Sequence, residues 1–160
     1  MRRYSKLFFV DEDDNSRSAM AKIIMQSKFL LKPMAIESRG LVVLFPEPMN
    51  QKAEAVLIGN GYSVAGHEAK PLLQEDINEE ALILTMEDSQ KEKIWMNYGH
   101  ALNVYTLTEY VKWQGDVVPL FGEPLTEYGK CYELLEALIA GLAVHLNEES
   151  IQADKNSEEE

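Results

Sequence analysis

The sequence predicts an α/β fold of three layers, with helices on both faces of a four-stranded parallel sheet. Two observations carry this. Short apolar runs of strand length alternate along the chain with stretches of helical period, the order that βαβ units require. The runs are also continuously apolar, as strands covered on both faces must be, and right-handed crossovers are expected between them.

Lys6-Leu-Phe-Phe-Val10 is rich in strand formers and stops at the acidic stretch Asp11-Glu-Asp-Asp-Asn15, which makes it a buried first strand. From Ser16 the period changes, with Ala19, Met20, Ile23, Ile24 and Phe29 at helical spacing, Ser16 as N-cap and Pro33 beyond the far end. Residues 34–38 read as a second strand leading through Gly40. Pro46 and Pro48 mark a loop, and Asn50 caps a helix that ends at Gly59 or Gly61. Ala81-Leu-Ile-Leu-Thr-Met86 is the third strand, and Asp88 and Ser89 are caps for a helix through Trp95 and Met96. Residues 101–107 supply the fourth. Residues 125–146 carry the longest helical period, through Tyr128, Tyr132, Leu135, Leu138, Ile139 and Leu142.

A chain of 160 residues, 46% apolar and 26% charged, has the make-up of one domain with a real core. Residues 1–146 are assigned to that domain. Residues 147–160, acidic and nearly free of apolar side chains, are expected to form a solvated, disordered tail. No run approaches the roughly 20 apolar residues of a membrane span, and the start Met1-Arg2-Arg3 precedes an apolar stretch too short for a signal peptide, so a cytoplasmic protein is expected. The net charge of −12 argues against nucleic-acid and anionic-membrane partners, which need clustered Lys and Arg. An unidentified protein partner remains open, with a monomer or homodimer as the assembly. Cys131 is the single cysteine and sits among Tyr132, Leu134, Leu135 and Leu138, the setting of a packed thiol rather than a nucleophile. His67, His100 and His145 lack metal-site spacing, and Trp95 and Trp113 are assigned to the core.

In open parallel sheets ligands bind beyond the carboxyl ends of the strands, which points to residues 11–17. There Val10-Asp-Glu-Asp-Asp-Asn-Ser-Arg17-Ser18 resembles the V-C-x-G-N-x-C-R-S loop of the low-molecular-weight protein tyrosine phosphatases, with Ala19-Met20-Ala21 continuing in register. Ser38-Arg-Gly40 is similar to the family's S-A-G, and His67-Glu-Ala-Lys70-Pro-Leu72 to its H-x-[AS]-[RK]-x-[LI]. Ala81-Leu-Ile-Leu-Thr-Met86 with Ser89-Gln-Lys91, and Tyr105-Thr-Leu-Thr-Glu109-Tyr110, extend the likeness over residues 6–146.

The resemblance implies a loop whose backbone N–H groups wrap a phosphate dianion while an arginine grips it and a cysteine thiolate attacks phosphorus. Here Arg17 is kept. Asp11 takes the place of the cysteine, Asp13 that of the loop glycine and Asp14 that of the asparagine; Glu12, Asn15, Ser16 and Ser18 complete the loop. A carboxylate roughly 5 Å from a phosphate charge repels it by about 3 kcal/mol at an effective dielectric near 20. A helix N-terminus returns only about 0.3 to 2 kcal/mol. The family's late D-[IV]-x-D-P-[FY]-G loop reads Asp116-Val-Val-Pro119-Leu120-Phe121-Gly122, so Pro119 stands where the general acid should be.

These replacements imply a chain that has lost catalysis and acts as a binding or regulatory module, with residues 11–18 as its ligand loop and no cofactor. The alternative is phosphatase or other phosphoryl-transfer chemistry with Asp11 as nucleophile, since Asp11-x-Asp13 after an apolar strand also resembles the haloacid-dehalogenase and receiver-domain openings. A divalent cation held by Asp11, Asp13 and Asp14, or a simple solvated acidic turn, are further readings of the same loop. Arg17 has Asp11 and Asp13 as neighbours with which to pair, and Phe45 is placed either in the core or on the wall of a cleft.

Overall fold

The computed structural model describes residues 4–159, so residues 1–3 and 160 lie outside it, including the charged start used in the signal-peptide argument. The four strands are β1 (Lys6–Asp11), β2 (Ala35–Gly40), β3 (Ala81–Thr85) and β4 (Val104–Thr106). They form one parallel sheet in the order β2-β1-β3-β4. The helices are α1 (Arg17–Gln26), α2 (Gln51–Gly59), α3 (Asp88–Asn97), α4 (Leu107–Tyr110) and α5 (Leu125–Glu159).

Alternation along β1 builds both halves of the core at once. Leu7 and Phe9 face one side, where they pack with Met20 and Ile24 of α1, Leu57 of α2 and Leu135, Leu138 and Leu142 of α5. Phe8 and Val10 face the other and join Leu72, Ile83, Val104 and Ile94 of α3. This is the predicted three-layer sandwich with the predicted four parallel strands.

The local signals explain most boundaries. Asn50 caps α2 by accepting from the N–H groups of Lys52 and Ala53, and Gly61 then adopts a φ of 89°, which only glycine takes without strain. Ser16 stands at the N-cap of α1 but its hydroxyl donates to Asn15 Oδ1, so it makes no cap bond. α1 stops at Gln26, short of Phe29, which is left exposed. The cap of α3 is Glu87 rather than Asp88 or Ser89.

Two expectations fail. Residues 147–159 are not a free tail but the last turns of α5. They are held because Asn147 bridges Phe29 O and Leu31 N, Glu149 accepts from the Tyr110 hydroxyl at 2.9 Å, and Ala153 is buried. Trp95 and Trp113 are about half exposed, at 52% and 51%, not core. Among the described residues no helix is long and apolar enough to cross a membrane.

Candidate active-site loop

The 11–18 loop leaves β1 at the carboxyl end of the sheet and turns into α1. Asp11 is the last residue of β1 and is fully buried. Its Oδ1 accepts from Asp14 N at 2.7 Å and faces the Ser18 hydroxyl at 2.9 Å, while Oδ2 accepts from Ser18 N at 3.1 Å. The loop therefore closes on its own carboxylate. Burial pushes the Asp11 carboxyl up to about 6, against the pull of Arg17 and the N–H donors.

Asp14 is the pivot. It adopts a φ of 56°, a left-handed conformation that Asp and Asn tolerate better than other side chains. Its Oδ1 lies 2.8 Å from the Ser18 hydroxyl, its Oδ2 accepts from Lys70 N at 3.0 Å, and its carbonyl accepts from His67 Nε2 at 2.7 Å. That last bond settles the tautomer of His67: Nε2 carries the proton, so Nδ1 accepts from Lys22 Nζ at 2.6 Å. Both ring nitrogens of His67 are thus taken up within the protein. Asn15 donates to Glu47 Oε2 at 2.9 Å and ties the loop to the segment before α2. Asp13 Oδ1 receives only a long 3.4 Å contact from Asn15 N.

Arg17 pairs with neither Asp11 nor Asp13. Nη1 donates to Glu87 Oε2 at 2.8 Å and to Val117 O at 2.6 Å, and the side chain is buried. Glu87 lies just past β3, so the strand-end rule that singles out Asp11 also reaches it. The sequence reading passed over it. Asp116 accepts from Asp88 N at 3.0 Å and ties the late loop to α3.

These parts surround a cavity of about 650 Å³ walled by the loop, Glu47, Glu87, Pro119, Phe121 and Tyr128. Phe121 stands 98% exposed at the mouth. Phe45 is not among its walls and is not core either, being exposed on the surface. Lys52 donates to Glu123 O at 2.7 Å and sits over the Tyr128 ring. Carboxylates from Asp11, Glu12, Asp13, Glu47 and Glu87 outnumber the cations of Arg17 and Lys52. Pro119 is on the wall of this cavity and has no proton to give. Cys131 is buried, with its thiol pushed up to about 12 by burial, so it supplies no thiolate.

The carboxylates of Asp11 and Asp14 are turned to donors of the protein itself. Asp11 and Asp14 spend their oxygens on Ser18, Lys70 N and Asp14 N. Among the described residues no group of three or more acidic, histidine or cysteine side chains is arranged to hold a metal ion. Nor is the loop a solvated turn, because Asp11, Asp14, Arg17 and Ser18 are all buried.

A parallel four-stranded sheet whose first strand leads through a tight loop into the first helix, with a buried arginine at the carboxyl end, defines the class: a three-layer α/β protein with its candidate site at the strand ends. The family profile for low molecular weight phosphotyrosine protein phosphatase matches residues 6–155. The low molecular weight protein-tyrosine-phosphatase PtpB of Staphylococcus haemolyticus is 31% identical over 137 residues, 86% of this chain and 96% of its own. The crystal structure of the T. tengcongensis low molecular weight protein tyrosine phosphatase superposes with a TM-score of 0.79 at 33% identity, over 86% of this chain and 96% of that one. The YwlE arginine phosphatase from Geobacillus stearothermophilus gives a TM-score of 0.85 at 27% identity, over 92% and 96%. The chain belongs to the low molecular weight phosphotyrosine protein phosphatase family.

Proposed function

We propose that this chain is a non-catalytic member of its family, which binds a partner protein through the cavity over residues 11–17. The observation that carries this is Asp11. Its buried carboxylate takes the N–H and O–H donors of Asp14 and Ser18, which supports a loop already filled by its own anion. A phosphate arriving there meets that charge at short range and finds the Arg17 guanidinium paired with Glu87. Pro119, at the position of the general acid, leaves a departing alkoxide or phenolate without a proton donor.

The family's activity favours a second reading, in which Asp11 acts as nucleophile in a phosphatase or other phosphoryl-transfer reaction. Asp11 and Arg17 do line one cavity. In this reaction a carboxylate oxygen of Asp11 bonds to phosphorus, the substrate's P–O or P–N bond breaks, and water then hydrolyses the acyl phosphate. One experiment separates the readings. Incubation with an aryl phosphate and with phosphoarginine is expected to release no phosphate above the rate of the Asp11→Ala variant. Turnover by the unaltered chain that this change abolishes would establish the second reading and sink the first.

A further inference from the structure

Five carboxylates and two cations line the cavity over residues 11–17, and their pairing leaves a surplus of negative charge. Glu87 is met by Arg17 at 2.8 Å and Glu12 by Lys93 at 3.5 Å, while Asp11 is taken up by the donors of its own loop. Asp13 and Glu47 have no such partner. Neither forms an ion pair among the described residues. The Asp13 carboxylate receives only the 3.4 Å contact from Asn15 N, and the Glu47 carboxylate only the Asn15 amide at 2.9 Å. Asn15 thus holds both acids at one side of the cavity. Each is half-buried, a setting in which an unpaired carboxylate is costly. Of the two cations, Arg17 is neutralised by Glu87, and Lys52 donates to Glu123 O and lies over the Tyr128 ring.

The second observation does not depend on charge. Tyr128 is 2% exposed, and its hydroxyl has no hydrogen-bond partner among the described residues. The Ser38 hydroxyl also lacks one, but it is sealed inside the protein; the Tyr128 oxygen is not sealed, and the space it opens on is the cavity it lines. A buried tyrosine ordinarily finds a partner for its hydroxyl, so this one is placed for a group from outside. At the mouth, the exposed Phe121 ring offers an aromatic face of the kind on which a guanidinium stacks.

We propose, resting on the binding reading given above, that this cavity receives an arginine side chain from an exposed segment of the partner protein. The forked N–H donors of the guanidinium suit Asp13, Glu47 and the Tyr128 oxygen together, and Phe121 packs on its planar face. A lysine ammonium is a more strongly hydrated point charge and cannot reach all three with the same geometry. The volume of about 650 Å³ lies within the range of sites that enclose a whole small ligand, so the side chain enters with its flanking backbone.

The test is an NMR titration of the full chain with a blocked pentapeptide carrying one arginine among glycines, beside the same peptide with lysine and with citrulline, the neutral isostere of arginine. Saturable shifts at residues 13, 47 and 128 are expected, with arginine bound more tightly than lysine and citrulline bound about tenfold or more weakly than arginine. Glu47→Gln and the nearly isosteric Tyr128→Phe should each weaken the arginine complex by about fivefold or more. Lys52→Met, at an exposed position of α2, should tighten it. Citrulline bound as well as arginine, affinity unchanged in both Glu47→Gln and Tyr128→Phe, or no saturable shift at these residues in tens of millimolar peptide would each overturn the proposal. Those failures leave the non-catalytic reading in place, because it falls to a different result, phosphate release that Asp11→Ala abolishes.

Discussion

Ser18 has a single hydroxyl proton and two carboxylate neighbours, Asp11 Oδ1 at 2.9 Å and Asp14 Oδ1 at 2.8 Å. With both acids ionised, one contact sets a lone pair against an anion; a proton on Asp11 relieves it, giving a chain from Asp11 through Ser18 to Asp14. The raised Asp11 value has a sign that follows. The folded state holds this proton more tightly than the unfolded chain, whose value is near 3.8, so the contribution to stability is full below pH 4 and is lost as pH rises through about 6. Asp11→Asn removes the titration. Between pH 7 and pH 4 the unfolding free energy of the unaltered chain should therefore gain up to about 3 kcal/mol on that of Asp11→Asn, measured by urea denaturation. A difference that does not move with pH would mean that Asp11 stays ionised throughout. Gly40 is the matching constraint on the other wall. A Cβ there would lie 2.6 Å from Val43 Cγ2 and 2.9 Å from the Asp13 carbonyl carbon, so Gly40→Ala should cost about 1 to 3 kcal/mol in the same assay and displace residues 13–14. The substitutions at positions 11, 13, 14 and 119 were legible in the sequence because each falls in a motif of fixed spacing. The pairing of Arg17 with Glu87 was not, since it joins residues 70 positions apart across two strand ends.

Elements were predicted well where an apolar face decided them and poorly where a few polar contacts did. The runs of β1 and β3 and the Asn50 cap carry their own signals. The far end of α5 does not. Residues 147–159 look like a solvated tail by composition, and the last turn of the helix has acidic residues and no basic one, against its own dipole. It is held from outside. Asn147 satisfies two backbone groups of the 29–31 segment, Glu149 accepts from Tyr110, and Lys32 reaches Asp154 at 3.6 Å. Truncation after Leu146 should accordingly lower stability by about 2 to 4 kcal/mol, read by chemical denaturation, while removal of residues 157–160 alone should change nothing measurable. Equal stability of the shorter chain would return the segment to the tail that composition suggests. The exposed Trp95 has a related lesson: its ring lies 5.0 Å from Lys91 Nζ, so an aromatic residue on a helical period can serve the surface as well as the core.

The whole molecule carries a net charge of −12, and this charge is not spread evenly in its effects. Around the first cavity, at the carboxyl end of the sheet, five carboxylates face two cations, where a phosphatase would need the opposite sign. The family's scaffold is kept, and under the proposed function the acidic wall of its ligand face would favour a partner other than a phosphate ester. Such an excess of one sign also strains the fold as a whole, because like charges across the surface repel over the Debye length, about 30 Å at 0.01 M salt and about 8 Å at 0.15 M. Thermal unfolding should therefore shift upward between low and physiological NaCl, by about 2 to 4 °C for each kcal/mol of repulsion relieved. A downward shift would show that the local pairs, led by Arg17 with Glu87 and Lys28 with Glu136, outweigh the general repulsion.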